Sequence, residues 1–231
     1  AFTPQFALLK KLDNNSSLYA NAAKSFKMPT FTQIYGGGGA NFAANPLLEP
    51  EEGWTYEFGY KKTSNTSMFK AALYYMDLDT IEYEGKGTSS NPYVTRNMSF
   101  KNKGLEMTYE KDFGSKYSYS LGANFCNPMG KNKKGVWERK FAREQYNASI
   151  KYHDAKFNAA LTGMFTTDRA SGWGDLLPVN FIAGYKFDKS STVELGVENI
   201  FDRDDIVSNP GSATKYYCLP RMVYVTYTYT F

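Results

Sequence analysis

Hydrophobic and polar positions alternate with a period of two along most of this chain, and helical periodicity is nearly absent. The last segment, MVYVTYTYTF, shows it best. Val223, Val225, Tyr227, Tyr229 and Phe231 fall on one face, and Tyr224, Thr226, Thr228 and Thr230 on the other. In TVELGVENIF, Val193, Leu195 and Val197 oppose Glu194, Gly196 and Glu198; in YNASIKYH, Tyr146, Ala148, Ile150 and Tyr152 oppose Asn147, Ser149, Lys151 and His153. KFNAALTGMF collects Phe157, Ala159, Leu161, Gly163 and Phe165, and WTYEFGYK sets Trp54, Tyr56, Phe58 and Tyr60 against Thr55, Glu57, Gly59 and Lys61. Taken singly, each segment reads as a half-buried strand of a soluble sheet.

Spacing changes that reading. The pattern predicts about eleven strands, at 2–12, 17–26, 53–63, 67–80, 98–112, 116–127, 143–153, 156–166, 179–187, 191–201 and 221–231. Their connections alternate between short (DNNSS, SNT, GSK, HDAK, DKSS) and long (about 27–52, 81–97, 128–142, 167–178 and 202–220). A soluble sandwich has no reason to put tight turns at one end and long loops at the other. A transmembrane barrel does, with short periplasmic turns and long extracellular loops. Strands of this length suit a tilted bilayer crossing, and aromatics near both strand ends (Tyr117 and Phe125, Phe157 and Phe165) suit interfacial girdles. The predicted fold is all-β, a transmembrane antiparallel barrel wall. Tyr56, Phe58, Leu121, Leu161, Leu195 and Val225 are expected toward lipid, and Glu57, Gly122, Thr162, Glu194 and Thr226 toward the lumen.

Direction follows from the ends of the pattern. With no loop after Phe231 the last strand descends, which makes the short turns periplasmic, the long segments extracellular and Ala1 extracellular. Single-chain bacterial barrels have even strand numbers. Eleven strands are therefore expected to leave two edges, each exposing unpaired backbone groups at several kcal/mol apiece in lipid. The chain is accordingly expected to pair with further strands, in the same polypeptide or in a second chain.

Composition narrows the chemistry. No run approaches the ~18 consecutive apolar residues of a spanning helix, so any crossing is by strands. Aromatics make up 17%, with 19 Tyr and 17 Phe, and 22% charge beside them argues against a disordered chain. The net charge of +4 is spread without a Lys/Arg block, so nucleic acid is not implied. The opening AFTPQ carries no charged-then-apolar leader, so any signal segment is expected to be already removed or to belong elsewhere. Cys126 and Cys218 lack metal-ligand spacing. Both are expected on the extracellular side, on strands too far apart for a direct bond, as two free thiols. The one histidine, His153, beside a short turn, excludes two-histidine sites and leaves no Ser-His-Asp arrangement, so no catalytic residue and no enzyme activity are expected. Gly36–Gly39 is read as a loop, because no strand-turn-helix surrounds it.

Three segments together resemble the TonB-dependent outer-membrane receptors. The first is LYANAAKSFKMPT (Leu18–Thr30), followed by NPLLEPEEGWTYEFGY (Asn45–Tyr60), similar to that family's LYA…GFRAPT and NPNLKPE stretches. Lys27 and Met28 stand where Arg-Ala is usual, and Leu47 replaces the second Asn. The second is GVENIFDRDD (Gly196–Asp205), and the third is the aromatic tail YVTYTYTF ending in Phe231. The resemblance implies that 1–231 is the C-terminal half of a 22-stranded barrel split in an extracellular loop. The plug domain and the N-terminal strands would lie in a partner half-barrel, which a TonB-type energy transducer engages. It also implies an integral bacterial outer-membrane location in contact with outer-membrane lipids. The function implied is import of a scarce nutrient, a ferric siderophore or other iron chelate carried as cargo with no resident cofactor or metal. Haem or cobalamin uptake is the alternative within the family, and a passive porin or adhesin barrel the alternative outside it. Haem receptors of the family carry a histidine between these two motifs; this chain has none there, leaving Tyr35 as the only haem-ligand candidate in that stretch.

The expected ligand-binding residues are loop aromatics mixed with cations: Tyr35, Phe42, Tyr83, Tyr93, Arg96, Trp137, Arg139, Trp173, Tyr216 and Tyr217, with Arg169 and Lys215 nearby. Ring contacts and charge-assisted hydrogen bonds suit an anionic chelate, although each aromatic also suits plain loop-on-loop packing. Glu57, Glu106, Glu110, Lys151, Glu194 and Glu198 are expected on the lumen face, holding a plug or water.

Overall fold

The structure, a computed structural model, describes residues 1–37, 41–169, 173–208 and 215–231; Gly38 and Gly39 of the glycine run lie outside them. Eleven strands follow one another in a single antiparallel sheet. They are β1 (Gln5–Lys11), β2 (Ser16–Lys27), β3 (Glu51–Thr63), β4 (Ser67–Glu84), β5 (Val94–Phe113), β6 (Tyr117–Cys126), β9 (Glu144–His153), β10 (Phe157–Thr167), β11 (Val179–Lys186), β12 (Ser191–Glu198) and β15 (Met222–Tyr229). Three further features, absent from the sequence reading, sit inside the long loops. They are a one-turn helix, α1 (Phe31–Tyr35), a hairpin of β7 (Met129–Lys131) and β8 (Trp137–Arg139) on the flank of β5, and a separate pair, β13 (Ile206–Ser208) with β14 (Tyr216–Tyr217). These pieces are too short to show a period, so alternation could not reveal them.

The sheet has almost no core. Leu48 and Ala72 are the buried hydrophobic residues among those described, while Phe6, Leu8, Phe58, Leu73, Leu121, Ile150, Leu161 and Val225 stand exposed. A one-layer wall in water would leave this whole face unsatisfied; against acyl chains it is satisfied. The register supports the two-faced reading. Phe58 pairs with Ala20 and Leu73, Leu161 with Ile150 and Phe181, and Leu195 with Ala183 and Val225, all on one face. Glu57 pairs with Asn21 and Tyr74, Glu106 with Ala72 and Asn124, Thr162 with Ser149 and Asn180, and Glu194 with Gly184 and Thr226, on the other. Glycine on the polar face lets a neighbour lie flat. A Cβ on Gly59 would meet the Tyr19 ring, and one on Gly104 the Tyr74 ring.

One boundary differs from the sequence reading. β4 runs 18 residues and β5 runs 20, about twice the ~9–11 of a tilted crossing, so their hairpin rises well beyond the other strands. Ile81–Glu84 and Val94–Asn97, expected as loop, continue the pairing: Glu51 at the head of β3 accepts from Ile81 N, and Gln33 in the loop between β2 and β3 donates to the Tyr83 hydroxyl and accepts from the Thr95 hydroxyl.

The short turns share a device. Asp13 accepts from Asn15 N, Asp154 from Lys156 N and Phe157 N, and Asp188 from Ser190 N and Ser191 N; Ser64 does the same for Thr66 N and Ser67 N. A side-chain oxygen that captures one amide (Asp13, which also accepts from the Ser16 hydroxyl) or two replaces backbone acceptors the tight turn has pulled away. The turn at 114–116 instead uses Gly114 at φ +56°.

Two predictions follow from register and turns. Single cysteines at Tyr56, Phe58, Leu121, Leu161, Leu195 and Val225 are labelled by a membrane-dissolved thiol reagent, and those at Glu57, Gly122, Thr162, Glu194 and Thr226 are not; a register slip of one residue gives the inverse pattern. The Tyr152 hydroxyl and the two turn amides hold the Asp154 carboxyl down at about 2, against an ordinary 3.8. Its contribution is therefore complete above pH ~5 and is lost as pH falls toward 2. Hydrogen exchange at the Lys156 and Phe157 amides reads this locally: Asp154→Ala speeds both about fivefold at pH 7, and less as the pH approaches 2.

Candidate functional site

The polar face of the sheet forms one continuous lining. Tyr74 donates from its hydroxyl to Asn124 Oδ1 (3.0 Å), and Lys70 reaches Glu57 (3.9 Å) while lying 5.6 Å from the Tyr19 ring centre. Around Glu57 and Glu106 stand Thr55, Tyr74, Asn102, Asn124, Gln145 and Asn147, lining a shallow polar hollow. Asn21 Oδ1 and Asn102 Oδ1 are enclosed and have no hydrogen-bond partner. The sequence reading found the glutamates and missed the amides. The same alternation would have given them, since Tyr74, Asn102, Asn124 and Gln145 share the parity of Glu57 and Glu106 through the pairing register.

Above the hollow, the same face of the β4–β5 hairpin carries an ion-pair network. Arg96 donates from Nε to Glu84 (2.6 Å) and from Nη2 to Glu82 (3.2 Å), Lys140 reaches Glu82 (3.3 Å) and Lys133 reaches Glu84 (3.8 Å). Three cations face two carboxylates, which leaves a positive balance at this rim. Arg96, expected as a free anion ligand, is thus held by two carboxylates and also donates to the Lys131 carbonyl.

The other expected ligand residues do not converge with it. Tyr35 packs on Phe31 (4.6 Å between centroids) at the end of α1, and Phe42 packs on Tyr83 (5.8 Å) and Tyr93 (5.2 Å). These rings cover the opposite face of the hairpin, with Gln33 Nε2 donating to the Tyr83 hydroxyl (2.8 Å). Trp137 and Arg139 belong to β8, whose register through Met129 and Lys101 puts them on the outward side of the wall. Arg139 pairs with Asp168 and donates to the Arg169 carbonyl (2.6 Å); Arg143 approaches Asp168 at 3.7 Å. Arg169 stacks over Trp173 at 5.0 Å and donates to the Val207 carbonyl (3.2 Å), which ties it to the β13–β14 pair that holds Tyr216 and Tyr217. Lys215 precedes that pair. Beside it Arg203 forks onto Asp205 (2.7–3.0 Å) and holds that carboxyl below the usual carboxylate range, while Asp205 also accepts from Leu177 N. Both thiols are unpaired: Cys126 donates to the Ala142 carbonyl (3.4 Å), and burial followed by the charge of Asp205 pushes the Cys218 thiol up.

The quoted motifs work as loop staples. Thr30 and Gln33 form a reciprocal capping box on α1. Asn45 donates to the Thr95 carbonyl (2.8 Å), Glu49 exchanges two bonds with Asn97, and Glu51 accepts from Ile81 N (2.9 Å), so NPLLEPE laces the first long loop to the tall hairpin. In VENIFD, Asn199 is buried at φ +48° and donates to the carbonyls of Arg203 and Leu219 (2.8 Å each) while accepting from Arg203 N (3.1 Å). Asp202 accepts from Arg221 N (2.8 Å) at the head of β15. The motif thus clamps both ends of the last loop.

Replacing Asn199 by Ala leaves two carbonyls and an amide unmet in a buried site, and is expected to cost about 2–4 kcal/mol. Denaturant unfolding in detergent measures it. Asn199→Gly, which relieves the positive φ, recovers only a minor part of the loss; full recovery would mean that backbone conformation, not the clamp, sets the stability.

A family model described as "TonB dependent receptor-like, beta-barrel" matches residues 1–200. Among solved structures, a point mutant of the ferric enterobactin receptor of Pseudomonas aeruginosa in complex with enterobactin superposes with a TM-score of 0.78 at 18% identity, covering 99% of this chain and 40% of its own. The ferripyoverdine receptor of the same organism gives 0.74 at 17%, covering 98% and 32%. A copper transporter gives 0.78 at 12%, covering 98% and 39%. At these identities the likeness is one of fold, and the chain spans well under half the length of each of these structures.

Proposed function

As the chain belongs to the TonB-dependent receptor β-barrel family, we propose that it forms one side of an outer-membrane receptor that imports a ferric chelate. The family match over 1–200 is the observation that carries this reading. Receptors for ferric enterobactin, ferripyoverdine and ferric citrate among the similar structures support an iron chelate as cargo. The copper transporter among them supports a second reading, in which the cargo is another metal complex.

In this reading the free edges of β1 and β15 are met by further strands of an N-terminal half-barrel, and its plug fills the lumen. The polar lining around Glu57, Glu106, Asn124 and Gln145 supports such a filling, since a plug would find hydrogen-bonding groups along it. The positive rim at Arg96, Lys133 and Lys140 draws an anionic chelate toward the lumen side. Release requires the plug to move, driven by a TonB-type transducer at the inner membrane. No step makes or breaks a covalent bond, so the protein acts as a transporter and not as an enzyme.

The complete receptor, expressed in cells starved of iron, is expected to accumulate radioactive iron from ferric catecholates or ferric citrate, and to stop when the proton-motive force is collapsed. Uptake indifferent to that collapse, together with steady ion conductance in planar bilayers, would mark a passive porin.

A further inference from the structure

On the outward side of the wall, away from lumen and mouth, lies a pocket that import does not use. Tyr75, Lys101, Lys103, Asn127, Met129 and Trp137 line it, with Asn102, which alternation assigns to the lumen face, between the two lysines. The pairing of Lys101 with Met129 and Asp77, and of Lys103 with Tyr75, puts these residues on the face that carries Phe58, Leu73 and Leu105. Lys101 Nζ lies 5.6 Å and Lys131 Nζ 6.0 Å from the Trp137 ring centre, so one indole is flanked by two ammonium groups. Asp77 meets Lys101 at 3.3 Å and accepts from the Tyr75 hydroxyl at 3.2 Å. Lys103 is exposed and has no acid within ion-pair distance among the described residues. Asn127 Oδ1 is enclosed without a donor.

Height decides what this pocket meets. Going up β4 the outward residues are Phe69, Ala71, Leu73 and Tyr75, then Asp77; going up β5 they are Tyr109, Met107 and Leu105, then Lys103 and Lys101. On β3 the change falls between Trp54 and Glu52. The apolar band therefore stops at the floor of the pocket, with a stacked Trp54–Tyr56–Tyr75 girdle beside it.

We propose that this pocket holds the phosphate-bearing headgroup of an outer-leaflet glycolipid, with the phosphate on Lys101 and Lys103 beside the Trp137 indole. The assignment rests on the outer-membrane reading above. Two features select a lipid over free phosphate: the lysines stand directly above the apolar band, and Leu73 and Leu105 continue the pocket downward as a track for acyl chains. It also accounts for Trp137, which faces away from the lumen and so stands apart from the ligand path: its indole sits at headgroup level, where such rings concentrate.

The test uses the complete receptor purified from outer membranes, and recovery in that fraction is read first. Absence from it overturns the location and the pocket together. Native mass spectrometry then follows binding of lipid A carrying both phosphates, and of its dephosphorylated form. The wild type is expected to retain the phosphorylated lipid at least tenfold more tightly. Lys101→Gln with Lys103→Gln is expected to weaken it by about tenfold or more, given roughly 1 kcal/mol per basic residue near an anionic surface. Lys101→Arg with Lys103→Arg is expected to hold it. Equal binding of both lipids, or unchanged binding by the glutamine variant, overturns the pocket while leaving the outer-membrane reading intact. Heat-modifiable migration on gels confirms that each variant is a folded barrel.

Discussion

Everything in this structure depends on one constraint: backbone donors and acceptors placed in hydrocarbon have only each other to bond. Each unmet group costs several kcal/mol, so a wall built from strands must be paired along its whole height. The uninterrupted ladder from β1 to β15 meets that demand, with registers free of shifts through the crossing segments. Side chains then have only two places to go, and the period of two sends them there. The apolar set meets lipid and the amide and carboxylate set lines the lumen, with so little left between them that Leu48 and Ala72 are the buried apolar residues among those described.

Stability that a soluble domain draws from its core is here drawn from local devices. Carboxylates of Asp13, Asp154 and Asp188 lock tight turns, and Asn45, Asn97 and Asn199 staple long loops to strand ends. The motifs by which the family is recognised are among these staples. Their spacing is set by the need to lace a loop back to the strands beside it.

That division explains what the sequence could and could not reveal. The eleven strands, their faces and the alternation of short and long connections were legible because alternation repeats over many residues. The tall β4–β5 hairpin extends beyond the expected strand ends, because the groups that bond Ile81 and Thr95, on Glu51 and Gln33, lie 30 and 62 positions away. The ten expected ligand residues share loops but not a surface. Arg96 lies with Glu82 and Glu84 on the lumen side, Phe42 and Tyr83 pack on the reverse of the same hairpin, and Trp137 faces outward. Composition names such residues; only register tells which way they point.

The central claim is that this chain is a wall of a closed barrel in a membrane, so its two terminal strands must be as well paired as its middle. Hydrogen–deuterium exchange on the membrane-embedded receptor measures this directly. The outward-pointing amides of β1 and β15 are predicted to be protected to the same degree as those of β9, which is paired on both sides. Exchange at the two edges within seconds, beside a protected β9, would contradict it.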